Sequence, residues 1–246
     1  MPNYDLDKIK YATDGPTWEK AVGLYQKGKV TEFKELLNGF SAVVLGSSPY
    51  QVFISSKNYD RGDCECYLGQ NDTLCKHMVA VAICAVKNEQ TLTEEEKKQH
   101  NQVICSGKIG QLGEMELVEI KKSINLSLRY IKSYSGPSRT WFAYQDSLTE
   151  GCNRLATIVS KLPVNIETSK IVMDLLLRLD KKLCEGGVDD SDGTTGGFME
   201  ETVVLLGQFA KVEPSCIKTF KILLDKKTCF GWEEPLVKII DEGLYG

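Results

Sequence analysis

Three cysteines and one histidine fall within fourteen positions of the chain. They read Cys64-Glu65-Cys66, then eight residues, then Cys75-Lys76-His77. Three thiolates and one imidazole make a complete tetrahedral shell for Zn²⁺. Such a shell is full with protein ligands, whereas a catalytic zinc keeps a position open for water. The expected role is therefore structural. Unrelated buried thiols are the plain alternative, but four zinc-type ligands at a helix start match a metal shell more specifically.

The spacing places demands on the backbone. Cys64 and Cys66 share a face on a regular strand. Positions 75 and 77 diverge by roughly 200° on a helix. Cys75 must therefore precede a helix or open it, with His77 in the first turn. Three thiolates and a divalent cation carry a net charge of −1. Helix N-terminal amides and Lys76 suit that charge. Between the ligand pairs, Gly69 and Asn71-Asp72 give the chain room to reverse.

The elements around this cluster divide at about residue 90. Trp18, Ala21, Val22, Leu24 and Tyr25 mark a helical face ending near Gly28. Three strand-like runs follow: KVTEFKELL, FSAVVLG and YQVFISS. Asn38-Gly39 between the first two is a hairpin signal. Asp60 to Leu74 reads as loop, and a helix runs from near Cys75 through MVAVAICAV. The polar stretch 91–112 reads as a linker, with a capping box at Thr93 and Glu96. Beyond 112 the apolar spacing is three and four almost throughout. It gives helices on Leu117–Ile131, Trp141–Val159, Ile171–Leu183 and Met199–Phe209. A fifth starts at Pro214 with Ile217, Phe220 and Leu224 on its face, and a short sixth spans 235–241. The expected fold is α+β: a zinc-finger module over 1–90 with a small antiparallel meander, a linker, and an all-helical domain over 113–246.

The CEC…CKH ligands followed by an apolar helix resemble the SWIM zinc finger. The Trp18…LYQKGKV segment and the YQVFIS strand resemble the region upstream of that finger in prokaryotic SWIM proteins. The resemblance implies a zinc-bound hairpin and helix that contacts protein or DNA. The ligands it implies are Cys64, Cys66, Cys75 and His77. GPSRTWFAYQ and VDDSDGTTGGF in the helical part resemble the C-terminal region of the same proteins, for which no activity is implied.

Other candidates read as scaffold. Asp189, Asp190 and Asp192 precede Gly193, yet an EF-hand aligned on that glycine has Val188 and Met199 where acids are required. An acidic loop leading into a helix fits better. Trp141, Phe142 and Tyr144 beside Arg139 could stack on bases, but an aromatic stripe at helical spacing is more often core. Lys121, Lys122, Arg129 and Lys132 lie among acids, as on a solvated face. Gly107, Gly110 and Gly113 lack the Gly-Lys-Ser/Thr of a phosphate loop. His100 sits in a polar stretch with no partner motif, so no nucleophilic triad is expected.

The 246 residues are 42% hydrophobic and 26% charged, which excludes a disordered or collagenous chain. The longest uncharged apolar run, Met78 to Val86, is too short to cross a bilayer. The N-terminus has no apolar core behind a basic start, so a secretory leader is not expected. An odd count of nine cysteines argues against a disulfide framework, and those outside the cluster read as small buried hydrophobes. The net charge is −4; residues 1–90 carry −1 (10 basic, 11 acidic) and the rest −3. That balance favours a protein partner over DNA, although Lys57, Arg61, Lys76 and Lys87 could form a local basic patch. The expectation is a non-enzymatic, cytoplasmic zinc adaptor that docks protein. DNA contact through the finger is the alternative, and neither a membrane nor a small-molecule substrate is indicated.

Overall fold

The computed structural model describes residues 1–88, 90–98, 102–224 and 226–244. The chain forms two compact units, Met1–Gln99 and His100–Gly246. Each has its own apolar core.

The first unit opens with two short helices, α1 (Leu6–Ala12) and α2 (Gly15–Gln26). Each is started by an aspartate: Asp5 accepts from the Lys8 amide, and Asp14 from the Thr17 amide. Four strands follow, β1 (Val30–Leu36), β2 (Gly39–Leu45), β3 (Pro49–Ser55) and β4 (Gly62–Cys64), paired antiparallel in that order. The period-2 pattern decides which face is inside: Val52 and Ile54 of β3 are buried with Phe40, Ala42 and Val44 of β2. Asn38-Gly39 does mark the first hairpin. The turn itself is Leu37-Asn38, while Gly39 already pairs with Leu36 and Ser55. A Cβ on Gly39 would lie 2.1 Å from the Ile54 carbonyl oxygen, so the close approach of β3 requires glycine there.

Helix α3 (Lys76–Lys87) packs against α1 and α2 on one side and the sheet on the other. Every residue from His77 to Cys84 is buried. A helix apolar all round belongs inside a core, and MVAVAICA has that composition.

The stretch 91–112, expected as a linker, is shared out between the units. Thr93 and Glu96 form the capping box of a one-turn helix, α4 (Glu94–Lys97). Leu92 is buried in the first core. Trp18 Nε1 donates to the Lys97 carbonyl at 2.9 Å, and Lys10 Nζ to that of Glu95 at 2.7 Å. On the other side, Val103, Cys105 and Leu112 pack against the second core. Asn165 Nδ2 donates to the Gly110 carbonyl at 2.6 Å. Composition showed polarity here but not these scattered anchors. His100 lies outside the described residues.

The second unit holds α5 (Glu114–Ser127), α6 (Trp141–Ser160), α7 (Ile166–Cys184), α8 (Thr194–Val212) and α9 (Glu234–Leu244). Among its described residues there is no strand, only a single bridge between Ile109 and Val164. Leu148, Leu155, Leu175, Leu206 and Phe209 form its centre, as the three-and-four spacing requires. The element after Pro214 differs from expectation. It is a 3-10 segment, Pro214–Leu223, burying Cys216, Thr219, Phe220 and Leu223, while Leu224 is exposed. A strict spacing of three at 217, 220 and 223 already suits 3.0 residues per turn. The acidic loop caps α8: Asp190 accepts from the amides of Thr195 and Gly196, and Asp192 from that of Thr194. Tyr144 is core, but Phe142 is 74% exposed, so the aromatic stripe is only partly buried.

Leu92 is buried in the first core, so Leu92→Ala should destabilise the first unit by about 2–4 kcal/mol. Hydrogen exchange of the α3 amides should speed up accordingly. Unchanged exchange would show that 91–98 does not belong to this core.

Candidate metal centre

The hairpin β3–β4 presents the first ligand. Cys64 ends β4 opposite Val52. The Glu65 amide continues the ladder by donating to the Gln51 carbonyl at 3.2 Å, and the Glu65 carboxylate accepts from the Gln51 amide at 2.9 Å. Cys66 then turns inward. Its sulfur accepts from the Gly69 amide at 3.4 Å, and its carbonyl from the Gln70 amide at 2.9 Å. A 3-10 turn, Gly69–Asn71, follows, and Asp72 takes a left-handed conformation (φ 53°) to reverse the chain. Cys75 is extended (φ −121°, ψ 160°) and forms the N-cap of α3. His77 lies in the first helical turn, as the x-spacing demanded.

These four side chains are all buried, and their ligand atoms lie within 4.8 Å of one another. His77 Nδ1 is 3.7 Å from Cys64 Sγ and 3.8 Å from Cys75 Sγ. Tetrahedral bonds of about 2.3 Å to sulfur and about 2.0–2.1 Å to nitrogen would put ligand atoms about 3.6–3.8 Å apart. The residues therefore fit a four-coordinate metal ion. The structure thus contains a buried Cys3His group able to hold one.

The electrostatics point the same way. Pairing with the Cys64 S–H, then with His77 and the Met78 amide, lowers the Cys75 thiol against the upward push of burial. The same pairing with Cys75, together with burial, pushes Cys64 well above the usual thiol range. Both directions favour a proton shared by the pair, with the negative charge next to the helix start.

Three residues pack around the ligands in ways the sequence pattern does not give. Tyr50 lies against the His77 ring, centroids 4.7 Å apart. His77 Nε2 is buried without a hydrogen-bond partner. An imidazole ligating through Nδ1 carries its proton on Nε2. That nitrogen faces Gly46, where a Cβ would lie 3.0 Å from both Nε2 and the Tyr50 ring. Gly69 is equally constrained, since a Cβ there would sit 2.3 Å from the Cys64 carbonyl oxygen. Gly69 was legible as a loop residue, but its packing on Cys64 was not. Gly46 and Tyr50 reach His77 only through the β2–β3 register.

The basic patch envisaged around the cluster is diminished. Lys87 Nζ is paired with Glu96 at 2.9 Å. Beside Cys64, a groove of about 460 Å³ is lined by Ser41, Gln51, Phe53, Asp63, Glu65 and Asp72 among others. Its charged lining is wholly acidic. On the loop itself Tyr67 is 79% exposed, and Leu68 is exposed too. No helix among the described residues is long and apolar enough to cross a membrane. Comparison of the chain with protein-family models, curated proteins and solved structures finds no match.

Gly46→Ala should press on the His77 ring and weaken metal retention about 10-fold or more, the usual scale for groups that orient a ligand. Competition for zinc against a chromophoric chelator measures it. Affinity equal to that of the unmodified chain would show that the Gly46 approach does not position His77.

Proposed function

We propose that this chain is a zinc-binding adaptor of the SWIM type, in which a structural zinc shapes a surface for docking another protein. The observation that carries the proposal is the closed, buried Cys3His shell at the junction of a β-hairpin and a core helix. Zinc, when bound, supplies two positive charges and a fixed tetrahedral geometry. The chain's own residues do the rest. Cys64 and Cys66 anchor the loop to the sheet, and Cys75 and His77 anchor it to α3. Between Asp60 and Leu74 most polar contacts are local, such as Asn71 Nδ2 to the Tyr67 carbonyl at 2.6 Å and Gln70 Nε2 to that of Glu65 at 2.9 Å. Few apolar side chains are buried there, so metal ligation is the main source of its order.

Four protein ligands leave no open coordination position, which supports a non-enzymatic role. Exposed Tyr67 and Leu68 beside a carboxylate-lined groove support a protein partner, since aromatic anchors are enriched at interfaces. The same carboxylates repel phosphate and count against DNA. The reading includes residence in a reducing compartment such as the cytoplasm, where metal-binding thiols persist.

The proposal expects one zinc per chain purified without chelator. Cys75→Ala should lose that zinc and become protease-sensitive around residues 57–77, while circular dichroism retains most of its helical signal. Collapse of all helicity in one transition would contradict it. A gel-shift series should show no tight DNA binding. Strong binding that weakens steeply with salt would replace the protein-docking role with a nucleic-acid one.

A further inference from the structure

Two cysteines outside the metal centre depart from the buried, unreactive role expected of them. Cys84, Cys152 and Cys216 are buried thiols, and burial pushes Cys152 up to about 12. Cys184 and Cys229 are instead exposed and joined by a disulfide. Their Cα atoms are 5.6 Å apart across a sequence separation of 45, inside the usual span of about 4.4–6.8 Å. Cys184 ends α7, and Cys229 lies in the loop before α9.

Asp180, one turn before Cys184, organises the junction. Its Oδ1 accepts from the Cys229 amide at 2.9 Å and from Trp232 Nε1 at 2.9 Å. Trp232 is buried in the second core. These contacts do not involve the sulfur–sulfur bond; they bring Cys229 beside Cys184, and the bond adds a covalent tie between the loop and α7. Each sulfur also faces an acceptor on Asp180. Cys229 Sγ is 3.5 Å from the carbonyl oxygen, and Cys184 Sγ is 3.9 Å from the carboxylate. As thiols the two sulfurs would have to part by side-chain rotation, and the Asp180 carboxylate and carbonyl are the nearby acceptors for their S–H groups.

We propose that Cys184 and Cys229 form a reversible thiol–disulfide site, a clasp that fixes the segment leading into α9 to the end of α7. The exchange partner is a small aliphatic thiol and its disulfide. One protein thiolate attacks a sulfur of the small disulfide and displaces one small thiol. The second protein thiolate then attacks the resulting mixed disulfide and displaces the other. Two protein thiols and one small disulfide become one protein disulfide and two small thiols, and two electrons pass to the small molecule. Disulfides are rare in reducing compartments unless they are exchangeable. An exposed pair in the same chain as three buried metal-type thiols fits that exception. Exposure makes the pair the first to react. Asp180, Cys184 and Cys229 also form a three-ligand cluster. Asp180 Oδ1 already accepts two N–H bonds, which favours exchange over metal capture.

The test uses the full zinc-loaded chain, equilibrated in buffers of oxidised and reduced glutathione. Differential alkylation and mass spectrometry read the Cys184 and Cys229 peptides. The pair should interconvert reversibly while one zinc per chain is retained. Hydrogen exchange in residues 226–244 should speed up about tenfold or more on reduction. In Cys184→Ser, and independently in Cys229→Ser, that exchange should be fast and indifferent to the buffer. A pair that stays reduced in fully oxidised glutathione would overturn the proposal. So would zinc loss preceding disulfide formation, exchange in 226–244 that ignores redox state, or a second zinc bound by the reduced pair and lost in Cys184→Ser.

Discussion

Helix α3 is the constraint on which the first unit depends. Its residues from His77 to Cys84 are buried without interruption, between the sheet and the two N-terminal helices. An apolar helix of this length has little free choice of position, because every face must find a partner. Its N-cap and first turn also carry two of the four metal-type ligands, Cys75 and His77. The core therefore fixes where Cys75 and His77 stand, and the hairpin has to bring Cys64 and Cys66 to them. The β3–β4 register does so by setting Cys64 opposite Val52, a buried residue of the same sheet face.

This arrangement resolves an electrostatic difficulty. Buried thiolates are costly without compensation. Three in one pocket could not coexist in the apolar core without a cation. The helix N-terminus and the sharing of a proton between Cys64 and Cys75 offset part of the cost for one thiolate. A bound dication would offset the rest. The orphaned Nε2 of His77 shows the limit of the design, since the packing of Gly46 and Tyr50 leaves that nitrogen no acceptor. Ring orientation there is set by steric contact rather than by a second hydrogen bond.

The α+β order was legible in the sequence because it rests on period. Alternation in YQVFISS and the three-and-four spacing after 112 each follow from one face being buried. The clustering of Cys64, Cys66, Cys75 and His77 was legible because these residues lie close in the chain. What escaped were features depending on few residues or on distant ones. Helix α1 is seven residues long and shows only an aspartate cap and two buried apolar side chains, Leu6 and Ile9. Leu92 is a single apolar residue in a polar stretch, too little to mark the end of a core. Strand β4 is three residues, Gly62–Cys64, and its sequence GDC has no strand propensity; pairing with β3 makes it a strand. Gly46 and Cys229 matter through partners 31 and 45 positions away, which no local pattern encodes.

The cysteines show how environment, rather than residue type, assigns chemistry. Cys64, Cys66 and Cys75 are buried beside a histidine and a helix start, so together with His77 they form a group that could hold a metal ion as thiolates. Cys152 is buried in the second core, and burial, with the Asp190 and Asp192 carboxylates, keeps its thiol protonated. Cys184 and Cys229 are exposed, opposed and framed by acceptors on Asp180, so they can reach each other and a small-molecule oxidant. Solvent access separates the last pair from the first group. A diffusing disulfide meets the exposed sulfurs directly, whereas Cys64, Cys66 and Cys75 are each less than a tenth exposed. Burial thereby lets one chain hold reduced thiols and an oxidised pair under the same conditions.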